Sequence, residues 1–482
     1  MDLGTTNVKA VVVNAEGRVV ARGSEPVDRV CTADGGVEQD IDQIWDATCR
    51  SIREAVAEIE PAEIQSIGIS SQGGAPQLLD AEDKALGRVI SWLDGRGRPL
   101  DDELVADLGE DYLAEHIGCK FSATIIGQLL RIQREAPERF ESARRIGFVG
   151  DIIVGRLCGR RAHDATSLSI GMLYNPRLGR TDPEMLKRLS IREDQLPDLL
   201  PATTPAGRLR EEAARQTRLV AGIPVSPAIH DQYAALIGAG SVRQRDVFFG
   251  TGTAWVLVAN TARLAPPATR KTLVCPHPVQ GLYGQLLSMG NGGSSLQWAM
   301  NLLGRHQPSV TQIDDALEAV APASDGLGFW PLLCTGVGHD PFDHPGGRLS
   351  GITLAHSTSH LVRAVVEGLA CEFARHLAFF TDARLPIERL VMCGQAAASR
   401  ATPQIIADVT DRPVDCVAEP AISAFGAATI ARSLVDTNSN LAGLAKDLAP
   451  TTRTVQPSEH VPTYRRLFDK YLEPFNTSVV SQ

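Results

Sequence analysis

The chain twice sets a glycine-threonine turn between apolar runs, and this repetition limits the folds open to it. Near the start, Asp2-Leu3-Gly4-Thr5-Thr6-Asn7 leads into the run Val8 to Val13 and then Asn14. In the middle, Val247 to Phe249 passes through Gly250-Thr251-Gly252-Thr253 into Ala254 to Val258, and Asn260 follows. Short apolar runs on either side of such a turn are hairpin signals. The N–H groups and threonine hydroxyls of the turn form a concavity sized for phosphate oxygens. A length of 482 residues exceeds what one core usually organises, so two domains are expected. If the halves are related, each supplies one phosphate turn to a common cleft.

Ahead of the second turn stands a lone acid, Asp231, with the amide Gln232 beside it. Ala234, Ala235, Gly238, Ala239 and Gly240 follow, small residues on which helices can pack closely. A base, an amide and a phosphate-sized turn together point to phosphoryl transfer. Taken alone, the same residues also fit a surface acid and an ordinary glycine-rich turn.

Between the hairpins the pattern alternates strand and helix. Asp40 to Ile59 carries Ile41, Ile44, Trp45, Thr48, Ile52, Ala55, Val56 and Ile59 on one helical face, with Asp40 and Gln43 as a capping box and Pro61 beyond. Ile64 to Ile69 reads as a buried strand delivering the polar loop Ser70-Ser71-Gln72-Gly73-Gly74, a place where α/β folds carry ligand groups. Gln77 to Asp80 and Arg88 to Trp92 read as short strands, the second running into Trp92-Leu93-Asp94-Gly95-Arg96. An aromatic beside an acid and a guanidinium suits a sugar, and suits a core tryptophan with a surface ion pair equally well. Thr124 to Arg134 and Asp151 to Leu157 are expected helices, followed by an irregular region to about Pro205.

In the second half, Gly292-Gly293-Ser294 opens a helix containing Gln297 and Trp298, where the glycines let a ligand approach the helix N-terminus. Thr358 to Phe380 is a long amphipathic helix. Arg389 to Cys393 is a strand leading to Gly394-Gln395-Ala396-Ala397-Ala398-Ser399, whose small side chains leave room for a flat base; packing alone explains them nearly as well. A helix begins near Thr402, and another of small residues runs to Ser433.

Composition removes several function classes. With 47 Lys+Arg against 57 Asp+Glu the net charge is -10, which disfavours nucleic acid or an anionic membrane as main partner. The nine cysteines (Cys31, Cys49, Cys119, Cys158, Cys275, Cys334, Cys371, Cys393 and Cys416) show no CxxC or zinc-like spacing, so reduced core thiols and a cytoplasmic location are expected. No secretory leader pattern and no run of 18 apolar residues is found, so export and membrane spanning are not expected. The first strand has almost nothing before its turn: either it is unusually short, or translation starts upstream of Met1.

Read in order, DLGTTNVKA, ISSQGG with ISWLDGR, HDQYAALIGAG, FFGTGTAWVL, NGGSSLQW, HLVRAVVEGLACE and VMCGQAAASRATPQIIADVTDRPV resemble the FGGY family of carbohydrate kinases, within the actin-like ATPase superfamily. Each motif is weak alone; seven in family order over nearly the whole chain are specific. The resemblance implies an α/β fold of two actin-like (ribonuclease H-like) domains with mixed five-stranded sheets about a cleft, divided here as 1–242 and 243–482. It implies ATP and Mg2+ as cofactors, a small sugar or polyol as acceptor, and a homodimer as a frequent assembly.

Matched by position, Asp231 is the implied general base and Gln232 a substrate contact, with Asp2 holding Mg2+ mostly through water. Thr5, Thr6, Asn7 and Lys9 surround the first phosphate turn, and Gly250, Thr251 and Gly252 form the second. Gly293, Gln297, Gly394 and Gln395 match nucleotide-side positions. Gln72, Gly73, Trp92, Asp94 and Arg96 match the region lining the sugar site. The chain departs from relatives in two places: Gly394-Gln395-Ala396 replaces consecutive glycines, and the sugar loop lacks both the histidine of xylulokinase-like members and the Arg-Glu pair of glycerol kinases. Glycerol is therefore disfavoured, and a xylulokinase-like ketose kinase is the expectation. The alternatives are a kinase for a sugar acid such as gluconate and, from another class, a non-catalytic actin-like nucleotide switch. Asp231 with Gln232 argues against the switch, which needs no base for an organic hydroxyl.

Overall fold

The computed structural model describes residues 1–123, 125–306, 308–333, 347–436 and 438–477. Cys334 and Thr124 lie outside them. The chain forms two compact units: one comprises Met1–Gln244, Asn260–Gln285 and Ala421–Pro450, the other Arg245–Ala259, Leu286–Pro420 and Thr451–Gln482.

In the first unit the strand Asp2–Leu3 pairs antiparallel with Asn7–Val13 and parallel with Ile67–Ser71. Val19–Pro26 extends the sheet beyond Asn7–Val13, and Pro224–His230 runs parallel to Ile67–Ser71 on the other side. These are the expected five strands. Two-residue strands, Ala162–His163 and Asp198–Leu199, carry the sheet further. Strand Ile67–Ser71 is buried at every position, as a strand covered on both faces must be. Leu3, Val8, Ile44, Ile69, Val149, Ile153 and Val225 belong to the one apolar core beneath it.

Helix Ile41–Ala55 begins where Asp40 accepts hydrogen bonds from the N–H groups of Asp42 and Gln43. The expected reciprocal box does not form, because the Gln43 amide reaches sideways to Asp28 instead, accepting from its N–H at 3.1 Å and donating to its carboxylate at 2.6 Å. The small residues after Asp231 do what their size allows. Helix Asp231–Gly238 meets helix Ile422–Ser433 so closely that a Cβ on Gly426 would lie 1.7 Å from the Ala234 carbonyl oxygen. Helix Ile422–Ser433 presses as closely on the sheet, where a Cβ on Gly68 would lie 1.8 Å from the Ala427 oxygen.

The second unit repeats the local topology. Asp246–Thr251 pairs antiparallel with Trp255–Thr261 and parallel with Arg389–Cys393, followed by Val414–Val417 and an antiparallel Thr452–Val455. The turn falls at Gly252 to Ala254, so the first strand of the hairpin keeps Gly250 and Thr251. Phe248 and Phe249 are fully buried, each contributing about 1.5–3 kcal/mol of burial energy. The Phe249 ring meets Phe373 of helix Thr358–Asp382 at 4.3 Å. That helix also buries charge: Arg363 donates to Glu367 at 2.8 Å, and Tyr464 donates to the same carboxylate at 3.1 Å. Such groups are tolerable only because each is paired.

Among the described residues, eight cysteines are free thiols, six of them buried. Burial pushes the Cys49 thiol up to about 11 and Cys119 up to about 12, so both stay protonated.

Candidate active site

Three parallel strands of the first unit, Asp2–Leu3, Ile67–Ser71 and Pro224–His230, end together. Their registers pair Asp2 with Ser70, Leu3 with Ser71, and Ser71 with His230. Chemistry in open α/β sheets gathers at such carboxyl ends. Here they bring together Asp2, the loop after Ser71, and Asp231, the first residue of its helix.

The Ser70 hydroxyl donates to Asp2 Oδ1 at 2.9 Å. Burial, and then the charge of Asp231, push the Asp2 carboxyl up to about 6. Burial does the same to Asp231, also to about 6, against the opposing pull of hydrogen bonds from Gln232. Asp231 nevertheless keeps 31% of its side chain exposed. A carboxylate that is desolvated yet open on one face is suited to accepting a proton near neutral pH. His230 Nε2 lies 3.3 Å from Asp231 Oδ1.

The first turn and the sugar loop are tied to each other. Thr5 donates to Gln72 Oε1 at 2.9 Å and accepts from the Trp92 indole N–H at 2.9 Å. Gln39, fully buried, donates to the Thr5 carbonyl at 3.1 Å and accepts from Gln72 at 3.0 Å. Thr6 accepts from Val27 through its carbonyl, Asn7 closes the turn through its own carbonyl on the Gly4 N–H, and Lys9 faces Asp2 across the hairpin. Trp92 is 36% exposed.

Asp94 and Arg96 direct their hydrogen bonds to the protein. Asp94 accepts from the Val37 N–H, from Gln128 and from Arg96, and its side chain is wholly buried. Arg96 meets three carboxylates, those of Asp94 and Glu38 at 2.7 Å and that of Asp34 at 2.8 Å. The pair thus fixes the loop that presents Trp92.

In the second unit, Gly250, Thr251, Gly252, Gly293 and Gly394 form one cluster. Gly250 pairs with Cys393 across the parallel strands, and Thr251 donates to the Cys393 carbonyl at 2.6 Å. Gly394 follows with φ +96°, and a Cβ there would lie 2.8 Å from Thr251 Oγ1. The Gly293 N–H, at the start of helix Gly293–Leu302, donates to the Gly252 carbonyl at 3.0 Å, and a Cβ on Gly293 would sit 2.8 Å from the same oxygen. Gln297 turns along its own helix to donate to Asn301 at 2.8 Å. Gln395 begins the short 3-10 turn Gln395–Ala398.

Two family descriptions match this architecture along the chain: the N-terminal domain of the FGGY family of carbohydrate kinases over residues 1–238, and its C-terminal domain over 247–433. The chain belongs to the FGGY family of carbohydrate kinases. As an FGGY kinase it is a phosphotransferase with an alcohol group as acceptor. Among its relatives are a glycerol kinase of Gloeobacter violaceus, 30% identical over 86% of this chain and 83% of that protein, and an L-fuculokinase of Escherichia coli, 25% identical over 89% and 90%. A solved xylulose kinase from Rhodospirillum rubrum superposes with a TM-score of 0.89 at 26% identity, over 99% of this chain and 97% of that one. Among the described residues, no helix of this FGGY kinase is long and apolar enough to cross a membrane.

Sequence reasoning assigned no role to Ser70, Gln39 or His230. Ser70 and His230 stand inside quoted motifs, but only the strand register shows Ser70 beside Asp2, and only the side-chain placement shows the His230 ring turned to Asp231. Gln39 precedes a helix in a stretch with no motif, and nothing local marks it.

Proposed function

We propose that this kinase transfers the γ-phosphoryl group of ATP, taken as its Mg2+ complex, to a hydroxyl of a small open-chain sugar, a ketose of the xylulose kind. The observation that carries the reading is Asp231: a desolvated carboxylate with one open face, at the carboxyl end of the sheet, beside a second acid. As the acceptor oxygen bonds to phosphorus and the bond to ADP breaks, the hydroxyl proton passes to Asp231. Trp92, anchored through Thr5, and Gln72 line the acceptor side, while the Gly252, Gly293 and Gly394 backbone leaves room for nucleotide.

Mg2+ fits Asp2 on the chemistry of the donors. Among the described residues no group of three or more His, Cys, Asp or Glu side chains is placed to hold a metal alone. Mg2+ commonly keeps one or two carboxylates and takes its remaining ligands from water and nucleotide phosphates, which a single half-buried acid allows. When bound, it would neutralise charge developing on the phosphate oxygens. The relatives are named as glycerol kinase, L-fuculokinase and xylulose kinase. The sugar loop lacks the Arg-Glu pair of glycerol kinases, which disfavours glycerol, and lacks the histidine of xylulokinase-like members too, so what supports a ketose is the likeness to the solved xylulose kinase. Residues 1–242 are proposed as the domain of the sugar site and first phosphate turn, and residues 243–482 as the domain of the nucleotide site.

The test is ADP release measured across ketoses, polyols and sugar acids with Mg2+ and ATP. A ketose with the highest kcat/KM supports the proposal; a sugar acid or glycerol in that place overturns the ketose assignment. ATP turnover independent of any acceptor overturns the kinase mechanism proposed for Asp231.

A further inference from the structure

His230 ends the strand that delivers Asp231, and it is only 7% exposed. Its backbone N–H donates to Thr166 Oγ1 at 3.1 Å, and its ring meets the edge of Tyr233 at 6.2 Å, so strand and helix both hold it. Nε2 lies 3.3 Å from Asp231 Oδ1, within reach but not aligned as a hydrogen bond, while Nδ1 is buried with no hydrogen-bond partner. Burial depresses its pKa to about 3, which keeps the imidazole neutral. A neutral ring carries one N–H. Placing it on Nε2 sets a donor against the carboxylate and leaves a bare acceptor at Nδ1; the other tautomer would bury an unpaired N–H and aim a lone pair at an anion. The first arrangement costs less.

The room for this ring comes from another element. A Cβ on Gly73 would lie 2.5 Å from His230 Cδ2 and 3.0 Å from Nε2, and 2.6 Å from Ile170 Cγ2. Gly73 has no need of a left-handed backbone, so the glycine there is explained by the space that the imidazole and Ile170 take. The sugar loop and the acid's own strand are thus fitted to each other at this point.

We propose that His230 is a positioning residue of the transfer: a small turn of the two side chains aligns its Nε2–H, 3.3 Å away, on Asp231 Oδ1, leaving Oδ2 for the acceptor hydroxyl, and Gly73 keeps the space that the ring requires. The inference rests on Asp231 acting as the base, as read above. A general base displaced by about 1 Å loses up to about 10²-fold in rate.

Three variants separate the donor from the bulk. His230→Leu fills the space without an N–H, His230→Gln returns an N–H at similar reach, and Gly73→Ala leaves the histidine but crowds it. With the best acceptor from the screen, His230→Leu and Gly73→Ala are expected to lower kcat about 10- to 100-fold with the KM for ATP unchanged, and His230→Gln to recover most of the loss. A His230→Leu kcat within twofold of wild type, or equal losses in Leu and Gln variants, overturns the proposal. Nitrogen NMR of histidine-labelled protein, assigned by the signal lost in His230→Gln, should show a neutral Nε2–H tautomer. An Nδ1–H tautomer or a charged ring overturns the contact whatever the enzyme phosphorylates. Failure of every acceptor in the screen, with the Nε2–H tautomer present, overturns the acceptor and the base role proposed above and with them the role given to His230.

Discussion

Asp2, already pushed toward its protonated form by burial, is pushed further by the charge of Asp231, and the two acids titrate near the same point, about 6. They stand at the ends of strands separated by one other, so the repulsion is built into the sheet order. An ionised Asp231 is required to take a proton. The kcat/KM for the acceptor should therefore fall about tenfold per pH unit below about 6 and level off above it. A profile flat down to pH 5 would contradict the assignment.

The same shift has a cost in stability. A carboxyl whose folded pKa lies above its unfolded value of about 3.9 stabilises the fold most below that value, and the contribution is lost as pH rises through about 6. Removing the charge with Asp231→Asn should thus stabilise the apoprotein at pH 7 by roughly 1–2 kcal/mol, discounted for the open face of the side chain, and should give no gain at pH 4. Thermal unfolding of both proteins across pH 4 to 8 measures this. A gain independent of pH would assign the effect to packing instead.

Asp2→Ala is expected to weaken the dependence of turnover on Mg2+, raising the half-saturating metal concentration, while sugar KM stays within about threefold. Activity titrated against Mg2+ at saturating sugar checks it. An unaltered Mg2+ profile would remove Asp2 from the metal site.

Gly426→Val should destabilise the first unit by at least about 1–3 kcal/mol, because the added Cβ would meet the Ala234 carbonyl at 1.7 Å and both partners are helix backbone. The lowered midpoint would be seen in chemical denaturation. A loss under about 0.5 kcal/mol would mean that the two helices separate without penalty.

Much of this architecture was legible because its signals are local. The Gly-Thr turns, the apolar runs beside them and the strand-loop-helix at Arg389 to Thr402 each declare themselves within about ten residues. The small residues after Asp231 predicted close helix packing, but not that the partner is Ile422–Ser433, because that pairing is decided by the whole sheet. The Gln43 box failed for a related reason: Asp28, distant in sequence, offered a better partner. Thr5 was read as a phosphate-turn residue, and only the fold shows it bonded to both Gln72 and Trp92 of the sugar loop. His230 and Gly73 are the extreme case, since an imidazole and a missing side chain explain each other only when two strands are placed side by side.

The central claim is that Asp231 accepts the proton of the acceptor hydroxyl. Steady-state kinetics of Asp231→Asn, with thermal unfolding as the folding control, test it most directly. The variant keeps the size and much of the hydrogen bonding but loses the base, so kcat should fall by roughly 10²- to 10⁴-fold with nucleotide binding preserved. A folded Asp231→Asn enzyme retaining more than about a tenth of wild-type kcat would contradict the account.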